Sequence, residues 1–213
     1  MSHKEINVLV MCPDGDDATS FYRGYGPLAA LRKQYDWVNI IPGDRMEVKW
    51  KTLGLIDVLF LQRPFNSSHV QIMEMAKANN VPVWVDYDDD LFNVLQDNPA
   101  YRIYGKPGVQ KNVAKIIAMA DKITVSTEQL KRNFQKANPN ITVIPNAFND
   151  FVFKEKPVNW DKFNKLVNWR GSKAHTRDLM TYGAQMIEIG LKSQNLGGTW
   201  NVIGDKPWMI TER

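Results

Sequence analysis

Four carboxylates fall within five residues at Asp86-Tyr87-Asp88-Asp89-Asp90, directly after the apolar run 81–85. Like charges crowded at a strand end repel one another. Such a cluster persists where a metal, a substrate or a proton-transfer role compensates. Asp88, Asp89 and Asp90 are therefore the candidate catalytic residues. The competing reading is that one of them caps the next turn and the others are solvated. A second constellation is Arg170-Gly171-Ser172-Lys173-Ala174-His175, which follows a strand-like stretch and opens a helical one. Glycine admits a close backbone approach, a helix N-terminus favours anions, and Arg170 and Lys173 add positive charge. The turn could cradle a diphosphate, or it could be an ordinary strand-to-helix turn with a serine cap. Arg23-Gly24, ahead of the first helix, could hold an anion or lie free on the surface.

Several nucleotide-site and hydrolase motifs are missing. The segment after the first strand, Pro13-Asp14-Gly15-Asp16-Asp17, lacks Gly-x-Gly-x-x-Gly. Neither Gly-x-x-x-x-Gly-Lys-Ser/Thr nor Gly-x-Ser-x-Gly occurs. Cys12 ends an apolar strand and reads as a buried, inert thiol. His3 and His69 carry no signal.

The elements that must position these residues alternate in type. Apolar runs predict strands at 6–11, 37–41, 57–61, 81–87, 122–125 and 141–144. Amphipathic stretches predict helices at 26–34 and 67–79, and one bearing Val109, Val113, Ile116 and Ala120. A further helix is capped by Ser126 or Thr127 and carries Leu130, Phe134 and Ala137. Residues 93–107 read as a polar, aromatic loop. The alternation predicts an α/β fold: a Rossmann-like parallel sheet with right-handed crossovers and helices on both faces. Such sheets bind ligands beyond the carboxyl ends of their strands. The loops at 13–23, 63–68, 86–92, 126–127 and 146–150 thus become candidates, and with them Arg23, Gly24, Arg63, Ser126 and Asn146.

This first domain is expected to span 1–150, with a connector at 151–164. A partial second α/β unit follows at 165–213. It has strands at 166–169 and 199–203, the latter closed by Gly204, and a helix from about 175 to 191. That helix carries Leu179, Tyr182, Met186 and Ile189 on one side and Met180, Ala184, Ile187 and Leu191 on another. Two strands and one helix cannot bury their own core. Self-association or docking is therefore expected, with Leu191, Trp200 and Trp208 as contacts.

Composition bounds the class. The 213 residues are 44% hydrophobic and 23% charged, as in an ordinary globular protein. No apolar run reaches the length of a membrane span, and the N-terminus lacks a signal-peptide pattern. One cysteine excludes a disulfide within the chain and makes a reducing cytoplasm the default. The net charge of +4 comes from scattered Lys and Arg, too dilute for a nucleic-acid footprint.

Three segments together resemble a GT-B glycosyltransferase of the large group-1, family 4-like class. They are Ala120-Asp121-Lys-Ile-Thr-Val-Ser126 running on to Val143-Ile144-Pro145-Asn146, Trp169-Arg-Gly171-Ser172-x-x-His175-x-x-Asp178-Leu179, and the Asp-rich strand end at 83–92. The resemblance implies an acceptor-side domain at 1–150 and a donor-side domain from 165. It implies transfer of a sugar from a nucleotide-sugar to a glycan or other acceptor. Arg170, Gly171, Ser172, Lys173, His175 and Gly204 would hold the donor, and Asp88–Asp90 would orient hydroxyls. Arg23, Gly24, Arg63, Ser126 and Asn146 would line the acceptor cleft. The fold requires no metal. Asp88-x-Asp90 could take a divalent ion, but none is expected. The family's Glu-x7-Glu donor motif is expected beyond residue 213, which leaves the second domain truncated. The sequence departs from the family where Pro145-Asn146 continues into Ala147-Phe148-Asn149. Two other readings stay open: a non-catalytic binding or assembly module derived from such an enzyme, and a DNA-modifying glycosyltransferase.

Overall fold

The computed structural model describes residues 4–12, 18–43, 50–147, 154 and 166–204. The chain divides into two compact units. The first contains Met1–Asn93 and Tyr104–Phe153, and the second Val94–Ile103 and Lys154–Arg213. The sequence reading instead assigns Val94–Ile103 to the first domain and sets residues 151–164 apart as a connector. Apart from Lys154, the expected connector lies outside the described residues, as does Trp208.

The first unit is built on six parallel strands in the order β2-β1-β3-β4-β5-β6. They are β1 (Ile6–Met11), β2 (Val38–Pro42), β3 (Val58–Gln62), β4 (Val83–Tyr87), β5 (Lys122–Val125) and β6 (Ile141–Val143). Parallel pairing runs in continuous register, with Leu59 opposite Val83 and Val85 opposite Ile123. Strands with both faces covered read as unbroken apolar runs, and that is why β1, β3 and β4 were legible. The fold is therefore α/β and Rossmann-like.

Side chains alternate between the two faces. Leu59, Leu61, Val83, Val85, Ile123 and Val125 point into the larger core. It is closed by Val70, Met73 and Ala76 of α3 (Ser67–Ala78), Val113, Ile116 and Ile117 of α5 (Pro107–Met119), and Leu130 and Phe134 of α6 (Glu128–Phe134). Fully burying one such side chain contributes roughly 1.5–3 kcal/mol, so this face dominates the stability of the unit. Val8, Val10, Cys12 and Phe60 point the other way and meet Leu28 of α1 (Gly26–Gln34).

Short elements escape the sequence reading. The loop expected at 13–23 is helical in its described part, with a π-helical turn over Ser20–Tyr25 that runs straight into α1. Four-residue helices, α2 (Trp50–Leu53) and α4 (Tyr101–Tyr104), are too short to carry a period. The cap of α6 is Thr127, whose Oγ1 accepts from the Leu130 amide at 3.2 Å.

The second unit holds β7 (Leu166–Gly171) and β8 (Thr199–Gly204), paired in parallel, and α7 (Thr176–Asn195). Leu179, Gly190 and Ser193 are the buried residues of α7. Gly190 lets the helix approach the Trp200 ring so closely that a Cβ there would sit 3.3 Å from Cγ. Of the first expected apolar side Leu179 is buried, whereas Tyr182 and Ile189 are exposed, as is Leu191 of the second side. The buried line continues from Leu179 through Gly190 and Ser193, small residues that an apolar-periodicity reading passes over. Trp200, expected as a contact for self-association or docking, lies against α7 at Gly190. No described helix is long and apolar enough to cross a membrane.

Candidate functional site

The sheet order reverses between β1 and β3, and the carboxyl edge at such a point is where parallel α/β sheets bind ligands. Gln62 and Arg63 stand at that edge, beside the end of β4. Arg63 adopts the left-handed region, φ +48°, which costs an L-residue roughly 1–2 kcal/mol. Its amide donates to the Asp86 carbonyl at 2.8 Å, which fixes the turn. The guanidinium then donates to Asp88, from Nε to Oδ1 at 3.0 Å and from Nη2 to both oxygens at 2.8 Å. Nη2 also reaches Thr19 Oγ1 at 3.2 Å and Asp89 Oδ2 at 3.1 Å.

The four carboxylates do not confront one another unpaired. Asp86 is buried and takes a two-pronged grip from Arg23, Nη2 to Oδ1 at 2.6 Å and Nε to Oδ2 at 3.0 Å. Thr124 Oγ1 donates to Oδ1 at 2.6 Å, and Trp84 Nε1 donates to Thr124 at 2.9 Å. Burial raises the Asp86 pKa against the opposing pull of Arg23 and Thr124. Asp90 caps the next turn: it accepts from the Phe92 amide at 3.0 Å and from the Asn93 and Asn133 amides at 2.7 Å. Asp89 differs. Its side chain is 65% exposed, and burial of its surroundings together with the Asp88 charge raises its pKa against Arg63. Tyr104 stands in the same electrostatic neighbourhood, and its ring packs edge-on to Phe65.

Several expected assignments change. Arg23 is buried and committed to Asp86, so it is not an anion-binding surface residue. Its Nη1 turns to the Ile144 carbonyl at 2.6 Å and to Asn146 Oδ1 at 3.3 Å. Gly24 serves packing: a Cβ there would stand 2.6 Å from Cys12 Sγ. Ser126 braces the acidic turn by donating to the Asp88 carbonyl at 2.8 Å. Mutual repulsion of the acidic cluster is relieved by the two arginines, neither of which lies near it in sequence. Thr19, Tyr104, Thr124 and Gln62 belong to the same edge and were missed. Thr124 and Gln62 did leave a trace, as polar residues at inward positions of apolar strands. Gln62 is 2% exposed, and its Nε2 finds no partner among the described residues. Beneath the edge lies a cleft of about 60 Å³, lined by Arg23, Pro27, Leu28, Phe60, Trp84, Asp86, Thr124 and Ile144. Among the described residues, no group of three His, Cys, Asp or Glu is placed to hold a metal.

In the second unit Gly171 and Gly204 are register partners at the carboxyl ends of β7 and β8. The space a side chain would occupy on Gly171 is filled by the Trp169 ring, 2.4 Å from an added Cβ. The glycine therefore accommodates its own tryptophan. Ser172 caps the turn, its Oγ accepting from the Ala174 amide at 3.3 Å and its carbonyl from the His175 amide at 2.9 Å. A 3-10 turn, Lys173–His175, separates that cap from α7. His175 pairs with Asp178 at 3.0 Å, placing a carboxylate in the first turn of α7. Arg170 is exposed.

No protein-family model matches the chain, and no curated protein matches it. Among solved structures, it is similar to one described as a conserved protein from Enterococcus faecalis. The identity is 11%, over 66% of this chain and 91% of that one, with a TM-score of 0.32. A likeness at that level carries no functional information.

Proposed function

We propose that this chain is a cytoplasmic sugar-transfer protein of the GT-B type whose first unit binds the acceptor at the carboxyl edge of its sheet. The observation that supports this most is the exposed Asp89 carboxylate just beyond the carboxyl end of β4, 3.1 Å from the Arg63 guanidinium. A carboxylate so placed accepts hydrogen bonds from sugar hydroxyls and orients them. Asp88 and Asp90 serve it indirectly, one by fixing Arg63 and the other by fixing the turn.

In the proposed reaction an acceptor hydroxyl oxygen attacks the anomeric carbon of a nucleotide-sugar. The bond from that carbon to the diphosphate breaks, the nucleoside diphosphate leaves with the electron pair, and its departing phosphate oxygen takes the proton of the acceptor hydroxyl. Stabilisation of the departing charge falls to Arg170, Lys173 and the Gly171–Ser172 amides, an electrostatic role. The test is release of nucleoside diphosphate from a panel of uridine-, guanosine- and adenosine-diphosphate sugars. Asp89→Asn should lower release at least tenfold with an unchanged melting temperature. Release from none of the donors, or full activity in that variant, refutes the reading.

A second reading is a binding module without transfer. It is favoured by the turn after β7, where Ser172 is occupied as a cap and Asp178 offsets the positive end of α7. Glycan binding that depends on Asp89, with no diphosphate released, would select it.

A further inference from the structure

We infer that Arg23 is the fixed catch of a latch, and that the chain leaving β6, Ile144 to Asn146, is its movable bolt. The two ends of the Arg23 network differ in strength. On one side the guanidinium and Asp86 are both buried, with side chains 5% and 3% exposed, and joined by two hydrogen bonds. Thr124 and Trp84 extend that side across two strands. Breaking it would leave a charge stranded in the interior. On the other side, among the described residues, Nη1 holds only the Ile144 carbonyl and the Asn146 amide oxygen. Ile144 is 46% exposed and Asn146 is exposed, so water replaces these bonds when the segment lifts.

Asp86 therefore keeps the guanidinium aimed whether or not the segment is docked. A preorganised donor with a solvent-accessible acceptor gives a contact that opens without disturbing what holds the donor. The catch shares its β4 strand end with the Asp88–Arg63 pair, since Arg63 donates its amide to the Asp86 carbonyl. The position of the segment that leads toward the second unit is thus tied to the geometry of the carboxyl edge.

The Ile144 amide donates to the Val125 carbonyl at 2.8 Å, so its hydrogen exchange reports release of the bolt. Two substitutions at exposed Asn146 should move it in opposite directions. Asn146→Asp gives Nη1 an ionised acceptor and should raise Ile144 protection about tenfold, the gain of a charge-assisted bond over a neutral one. Asn146→Ala removes one acceptor and should lower it several-fold. Protection at Leu61 and Val85 should stay constant in both variants. Unchanged protection at Ile144 overturns the latch, and so do shifts of the same sign in both variants. Equal changes at Leu61 and Val85 would make the contact a plain contribution to global stability and overturn it as well.

Discussion

Arg63 holds Asp88 by three hydrogen bonds of 2.8–3.0 Å, and the same Nη2 stands 3.1 Å from Asp89. Two adjacent carboxylates thus have different duties. Asp88, with a side chain 14% exposed, fixes the arginine, and Asp89, at 65%, faces solvent.

The first prediction separates those duties. Asp88→Asn should destabilise the first unit by about 1–2 kcal/mol, because a partly buried guanidinium loses its main acceptor. Asp89→Asn should stay within about 0.5 kcal/mol of the parent, as exposed substitutions do. Denaturant melts of both variants measure this. A loss at Asp89 equal to that at Asp88 would mean that both carboxylates are structural.

The buried Arg23–Asp86 pair gives the second. Asp86→Asn leaves a cation in the interior and should cost about 3–5 kcal/mol. Replacing both partners, Arg23→Met with Asp86→Leu, removes the stranded charge and should recover most of that loss. A double variant as unstable as Asp86→Asn would show that the Thr124 and Ile144 contacts, not the charge, carry the energy.

Gly171 supplies the third. An alanine there meets the Trp169 ring at 2.4 Å, so Gly171→Ala should destabilise the second unit by about 1–3 kcal/mol through overpacking. Trimming the ring with Trp169→Leu in the same chain should restore stability. Loss of nucleotide binding in Gly171→Ala alone would then report packing. Arg170→Ala, at an exposed position, is the cleaner probe of diphosphate binding by calorimetry.

The sheet was legible because burial on both faces writes strands as apolar runs, and the helices because one apolar stripe repeats along each. The strand end with its carboxylates was legible too, as an electrostatic oddity. Its resolution was not. Asp86 is neutralised by Arg23, 63 positions away, and Asp88 by Arg63, 25 positions away. Such pairings are decided by strand order, which local pattern does not contain. The π-helical turn that presents Arg23 has no period to recognise, so a loop was expected there. Gly24 and Gly171 look like ligand-approach glycines in sequence, and the neighbouring Cys12 and Trp169 atoms add a packing reason for each that the sequence does not show.

The last prediction concerns His69, which carried no signal in the sequence. Its Nδ1 accepts from the Phe65 amide at 3.0 Å and the Asn66 amide at 3.4 Å, while Asn66 Oδ1 accepts from the His69 amide at 2.9 Å. The pair forms a reciprocal cap on α3. Burial lowers the His69 pKa from 6.5 to about 4. A proton on Nδ1 would also turn its acceptor into a donor facing two amides. The unfolded chain therefore binds more protons than the folded one between those pH values, and stability rises with pH across that window. The contribution is complete above about pH 6.5 and lost as pH falls through 4, with an upper bound near 3 kcal/mol. His69→Gln keeps an acceptor for the Phe65 amide and removes the titration. Urea melts from pH 7 to pH 4 should show the parent losing stability faster than His69→Gln. Parallel pH profiles for the two proteins would refute the assignment.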